Sequence, residues 1–314
     1  MKSLLPLAAA LAAIAASQAI AHPITVQSCD RTVRFDRPPK AAVSNDVNLT
    51  EIMLALGLSD RMVGYSGVSG WKTLDETLRK GVAELPELSP KYPSKEILLG
   101  AGADFFFAGW NYGMRLGGEV TPETLAPLGI AVYELTESCA HVMQRSKADL
   151  KDLYGDMLNL GKIFGIEERA EALVGKYRAE VEQITASQHP LLRAPRVFIY
   201  DSGEDAVFTA GRYAMPTALI ETAGGINIME DLERSWAEIG WDTVIDRNPE
   251  VIVIVNYGEV TAAQKIAFLE NNPALAGIDA VRNQRYVILE YVEATPGPRN
   301  ISAIRKLATA FREN

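Results

Sequence analysis

The sequence reads as an α/β protein of two lobes joined by a helix, with a ligand cleft between the lobes. Three observations carry this. In both halves, fully apolar runs of strand length alternate with amphipathic helical stretches, which favours mainly parallel sheets over hairpin-built ones. Between the halves the strand signal stops and a helical period takes over. The length, 314 residues, suits two domains with cores of their own.

The first 21 residues stand apart from that fold. Lys2 opens an apolar run over 4–16, and Ala19, Ile20 and Ala21 supply small residues where a signal peptidase cuts, so residues 1–21 read as a secretory signal and the mature chain as starting at His22. The run is short for a membrane span, and no cysteine follows it to take a lipid anchor. A soluble periplasmic protein is the expectation. Both cysteines, Cys29 and Cys139, lie beyond the signal, and an even pair in an oxidising compartment predicts a disulfide; two buried free thiols are the alternative.

The first lobe is assigned to residues 22–142. Residues 24–28 and 31–35 form a short hairpin ended by Pro38 and Pro39, and 41–44 form a small buried strand. The polar loop 45–48 opens a helix with Thr50 and Glu51 in its first turn, stopped at Gly57. Strands follow at 62–65, 104–108 and 130–133, separated by a helix at 95–99 and another begun by Pro122. The joining helix is assigned to 143–165, because Leu150, Leu153, Met157, Leu160 and Phe164 fall on one helical face before Gly165. Ala170, Leu173, Tyr177, Val181 and Ile184 repeat the pattern at the start of the second lobe, residues 166–314. There the strands are 196–200, 251–255 and 286–290, with helices at 216–223, 264–270 and 301–312.

Charge and motifs narrow the function. A net charge of −9 without a basic stripe argues against nucleic acid. Three histidines and two cysteines are too few for a dedicated multi-histidine metal site, so no resident metal or cofactor is expected. His22, His141 and His189 are isolated and read as solvated or capping residues. The chain lacks a GxSxG elbow, a Walker A loop, HExxH and a GxGxxG after a strand. Binding is therefore the better class. An exported two-domain α/β hydrolase with scattered catalytic residues is the rival, and a chaperone for a bare cation is a third.

Residues 39–57 (PKAAVSNDVNLTEIMLALG), 92–107 (YPSKEILLGAGADFFF), 160–172 (LGKIFGIEERAEA) and 236–254 (WAEIGWDTVIDRNPEVIVI) together resemble the periplasmic substrate-binding proteins of ABC importers for iron–siderophores and vitamin B12. The resemblance spans nearly the whole mature chain in the right order. It implies Rossmann-like lobes, a single rigid interlobe helix, modest closure, and a monomer that hands a small-molecule metal chelate to an inner-membrane permease. It also implies one acidic residue per lobe docking onto permease arginines. The matching positions are Glu51 and Asp242, the latter one methylene shorter than the glutamate of the family pattern. Without the resemblance, both read as first-turn acids favoured by the helix dipole.

Aromatic residues and arginines gather after the predicted strands. Tyr65, Trp110, Tyr112, Tyr213, Trp236, Tyr257 and Tyr291 are candidate ligand-binding rings, with Arg115, Arg212, Arg234 and Arg299 as candidate cations. Trp71 is expected under its own loop and Trp241 in the core of its lobe. A ferric siderophore is the first choice of ligand on that composition, cobalamin or another corrinoid the second, and haem, held by a cleft tyrosine, the third. In each case the metal arrives within the chelate.

Overall fold

The computed structural model describes residues 23–70, 75–187 and 192–312. The signal segment 1–21, His22, Trp71 and His189 lie outside the described residues.

The first lobe is built on a parallel sheet. Its strands run in the order Glu87–Ser89, Met62–Ser66, Ala42–Asn45, Phe105–Trp110, with Ala131–Glu134 pairing the last of these. Ala42–Asn45 and Phe105–Trp110 are buried along their whole length, which explains their unbroken apolar or small-residue sequence. The hairpin Ile24–Ser28/Arg31–Phe35 pairs antiparallel, with Ser28 opposite Arg31. Its two-residue turn places Cys29 in the left-handed region at φ 50° and joins it to Cys139. The predicted disulfide is present, closing a loop across most of the lobe.

The second lobe has a four-stranded parallel sheet in the order Ile226–Asn227, Arg196–Tyr200, Val251–Asn256, Tyr286–Glu290. A feature that the helical and strand periods did not show is an antiparallel pair, Val207–Ala210 with Trp236–Ile239, lying beside this sheet. Trp241 stacks edge-on to Tyr200 and Phe198 in the lobe's apolar cluster, as its sequence position implied.

Two boundaries differ from the sequence reading. The joining helix is Leu150–Phe164, capped by Asp149, whose carboxylate accepts from the Lys151 amide. The chain from 143 to 149 is not helical, because the apolar period begins only at Leu150. Gly165 ends this helix in the left-handed conformation, and Glu167–Ala186 packs back against it. The helix of the first lobe spans Val47–Ala55, beginning within the loop 45–48 and not after it, because Asp46 rather than a later residue caps it. Glu51 therefore sits in the second turn, outside the region where the helix dipole favours an acid.

Candidate functional site

The parallel strands of both lobes end facing one another, and the loops after them enclose a cavity of about 620 Å³. This is the crevice at the carboxyl ends of strands that α/β sheets use for ligands. The first lobe contributes Asp46 after Ala42–Asn45, Asn111, Tyr112 and Arg115 after Phe105–Trp110, and Tyr92 and His141 at the side. The second contributes Asp201 after Arg196–Tyr200, Tyr257 after Val251–Asn256, and Tyr291, Ala294 and Thr295 after Tyr286–Glu290. The antiparallel pair adds Phe208 and Trp236, whose rings stack at 5.8 Å.

Two buried carboxylates face the cavity, one from each lobe. Asp46 is 2% exposed and holds φ 78°, ψ 154°, a backbone region that side chains avoid at a cost of about 1–3 kcal/mol. Its surroundings fix it there. Its amide donates to Ser66 O at 2.8 Å, and its carboxylate accepts from the Val47 amide at 2.6 Å and from the Tyr291 hydroxyl at 2.9 Å. Asp201 is 4% exposed and accepts from the Tyr257 hydroxyl at 2.7 Å and the Ser202 hydroxyl at 2.9 Å. Burial pushes the Asp201 carboxyl above the usual carboxylate range, partly opposed by those two donors and by Lys265 behind the wall. Lys265 itself is buried, donates to Asp201 O and Val255 O, and lies 5.1 Å from the Tyr257 ring centre, so it braces this wall without entering the cavity.

The tyrosines remain protonated phenols at neutral pH, since burial pushes Tyr112, Tyr257 and Tyr291 well up. Tyr257 and Tyr291 sit 5.4 Å apart, linking Asp201 to Asp46 across the floor. Trp236 approaches Tyr112 from the opposite lobe and opposes part of the rise in its pKa. Burial lowers the pKa of His141, which favours the neutral ring, and its Nε2 lies 3.3 Å from the Asn111 side-chain nitrogen. Among the described residues no group of three or more histidine, cysteine or carboxylate side chains could hold a bare metal ion.

Of the residues named from sequence, Tyr112, Arg115, Trp236, Tyr257 and Tyr291 line the cavity. The others lie elsewhere. Trp110 turns inward, its indole donating to Glu134 at 2.8 Å, and Tyr65 packs in the core of the first lobe. Both faces of the sheet are covered, and the two rings pack into different apolar clusters, Trp110 with Phe106 and Ala108, Tyr65 with Phe105 and Phe107. Arg212 pairs with Glu233 at 3.0 Å, and Arg234 donates to the Glu233 carbonyl. Tyr213 is not among the lining residues. Arg299 is held by Glu51 at 2.6 Å and by Asp75, so it bridges the lobes outside the cavity. Glu51 is thereby half-buried in an internal ion pair, and burial raises its pKa despite Arg299. Asp242 is exposed in the first turn of helix Trp241–Arg247.

Sequence reasoning passed over Asp46, Tyr92, Asn111, Asp201 and Phe208, and it read as solvated or capping His141, which is half-buried in the cavity wall. Asp46 and Asn111 carried a usable signal, since polar residues directly after buried strands mark the crevice end of a parallel sheet. Phe208 carried none, because its strand was not foreseen.

Residues 43–291 match the periplasmic binding protein family, a span that includes both sheets and every loop of the cavity except the last few residues after Tyr291. The chain belongs to this family. Among curated relatives, this family member is 22% identical to an uncharacterised ABC transporter substrate-binding lipoprotein of Bacillus subtilis (strain 168), over 92% of this chain and 85% of the relative. It is also 22% identical to the cobalamin-binding protein of Halobacterium salinarum (strain ATCC 29341 / DSM 671 / R1), over 94% and 76% of the two chains. Among solved structures, a periplasmic binding protein from Veillonella parvula dsm 2008 superposes with a TM-score of 0.79 at 28% identity, covering 91% of this chain and 96% of that one. As a member of the family, the protein is the substrate-binding component of an ABC importer, and its partners are a small-molecule ligand and a permease.

Proposed function

We propose that this binding protein captures a corrinoid, the class that includes vitamin B12, in the periplasm, and delivers it unchanged, as a monomer, to an inner-membrane ABC permease. The observation that carries the choice of ligand is the pair of buried carboxylates, Asp46 and Asp201, facing a cavity in which Arg115 is the one fully charged cation among the lining residues. A multiply anionic ferric chelate would leave water to meet two acids, which is costly. A flat macrocycle with a cationic metal centre and a rim of amides meets phenols, carboxylates and aromatic faces instead. The name of the Halobacterium relative agrees with this reading. It replaces the ferric siderophore that loop composition alone favours, because most of the arginines behind that choice lie outside the cavity.

The metal would enter only as part of the ligand, with no resident cofactor. For docking, Asp242 stands exposed, whereas a permease arginine reaching Glu51 would have to displace Arg299.

The test is calorimetry of purified mature protein with cyanocobalamin, a neutral ferric hydroxamate, an anionic ferric catecholate and haem. Binding of cyanocobalamin in preference to the catecholate is expected, with Asp46→Asn weakening corrinoid binding about tenfold, the value of a charged hydrogen bond. Preferential binding of the anionic chelate would overturn the reading.

A further inference from the structure

A second cavity of about 440 Å³ opens beside the first, and Tyr92 and Arg115 line both. The two differ in charge. Asp46 and Asp201 face the main cavity, whereas Lys91 and Arg115 outnumber the exposed Glu119 in the side groove. Arg115 stands at the doorway with its guanidinium 5.0 Å from the Tyr92 ring centre, and it forms no ion pair among the described residues. Tyr92 is in turn fixed by donating to the Asn111 carbonyl. The doorway is thus a positioned cation on a held aromatic ring, aimed between an acidic chamber and a basic one.

Two glycines shape the loop that carries Arg115. Gly113 adopts φ +104°, and a Cβ there would lie 2.7 Å from Asn45. At Gly118 a Cβ would lie 3.0 Å from the Arg115 carbonyl oxygen. Side chains at either place would disturb the loop that carries Arg115.

We infer that this groove is a subsite for an anionic tail on the ligand, which in a complete corrinoid is the phosphodiester of the nucleotide loop. The inference rests on the corrinoid reading and deepens it. A cobalt(III) corrin core is cationic and its nucleotide loop carries one negative charge at the far end. A ligand with that polarity fits an acidic chamber joined to a basic groove in one orientation, with the corrin over the aromatic floor and the phosphate beside Arg115 and Lys91. Oxygen-rich anions suit arginine, which offers two parallel donors, with lysine adding a point charge.

The experiment compares cyanocobalamin with aquacyanocobinamide, whose corrin core keeps the same single positive charge and which lacks the nucleotide loop. Affinities are measured by calorimetry for the parent protein, Arg115→Ala and Lys91→Glu. The parent should prefer cobalamin, and each variant should lower the cobalamin-to-cobinamide affinity ratio by about tenfold. The ratio cancels any general damage to the cleft, since Arg115 borders both cavities. A parent that does not discriminate, or variants that leave the ratio unmoved, would overturn the subsite while leaving corrinoid binding in place. A parent that binds neither compound would overturn the corrinoid reading and the subsite with it.

Discussion

Replacing Glu137 with glutamine should flatten the dependence of folding stability on pH. Glu137 lies in the turn Thr136–His141 of the first lobe, 2% exposed, where its Oε1 accepts from Ser235 of the second lobe at 3.1 Å. Its Oε2 has no partner at hydrogen-bond geometry among the described residues. Burial pushes its pKa from 4.5 to about 8, with Asp152 adding to the rise and Ser235, the Met215 amide and Arg145 opposing it. Arg145 is committed to Asp152 at 2.5 Å, so it offers Glu137 little. Because the folded pKa lies above the unfolded one, the native chain keeps a proton that the unfolded chain releases, and stability falls as pH rises through this window. Each pKa unit corresponds to about 1.4 kcal/mol, which sets an upper bound of about 5 kcal/mol for Glu137.

Glutamine keeps an oxygen for Ser235 and has no proton to lose. Urea unfolding of parent and Glu137→Gln at about pH 5 and about pH 8 gives the reading. The parent should lose several kcal/mol more than the variant on going to the higher pH. Asp156, raised to about 7 by burial, adds a slope of its own, but that slope is common to both proteins and cancels in the difference. Parallel pH dependences in parent and variant would refute the argument, since they would mean that Glu137 is solvated or already charged in the native state.

Three further outcomes follow from other parts of the molecule. Arg299→Ala should destabilise the protein by about 1–3 kcal/mol in urea, because it leaves Glu51 half-buried without its partner, and Arg299→Ala combined with Glu51→Gln should recover part of that loss. Cys29→Ser should cost roughly 4–5 kcal/mol by removing the cross-link between residues 110 apart, read as a lowered thermal midpoint, and intact mass of the parent should show two thiols only after reduction. Asp242→Ala should reduce ligand uptake by cells while leaving calorimetric affinity unchanged; lost affinity would refute its assignment to permease docking.

The fold was legible where burial is two-sided or strictly periodic. Phe105–Trp110 is apolar throughout and Val251–Asn256 up to its last residue because helices cover both faces of a parallel sheet, and a short unbroken apolar run bounded by turn residues suits a strand of that kind. The pair Val207–Ala210/Trp236–Ile239 was not legible, since its strands are short and far apart in sequence and Trp236–Ile239 is half-exposed. The site was legible by location more than by residue. Loops after strands were the right place to look, but whether a ring there faces the cleft depends on the turn. Trp110 and Tyr112 would share one face of a continued strand, and the left-handed Asn111 at φ 67° parts them, leaving Trp110 on Glu134 and Tyr112 in the cavity. Arginines were the least legible, because a long charged side chain finds whichever carboxylate the tertiary fold brings near. Arg299 and Glu51 lie 248 residues apart.

The distribution of polar and apolar contacts bears on how the cleft opens. Each lobe has its own sheet, and one apolar cluster runs from the first lobe through the joining helix into the second; at the cleft edge, polar contacts cross as well: Tyr291 to Asp46, Ser235 to Glu137, Asn48 to Pro296 O, Arg299 to Glu51 and Asp75. Apolar burial is lost outright when a contact separates, but a polar group exchanges its partner for water, so each such bond contributes only about 0.5–1.5 kcal/mol net. Several of these bonds connect the helix Val47–Ala55, with its cap Asp46, to the segment 291–299. That segment also lines the cavity through Tyr291, Ala294 and Thr295. A ligand touching these residues therefore bears on the same short stretch of chain that Glu51 holds from outside. Opening the cleft at this edge requires rehydrating this stretch, while the helix Leu150–Phe164 stays packed in the apolar cluster shared by the lobes.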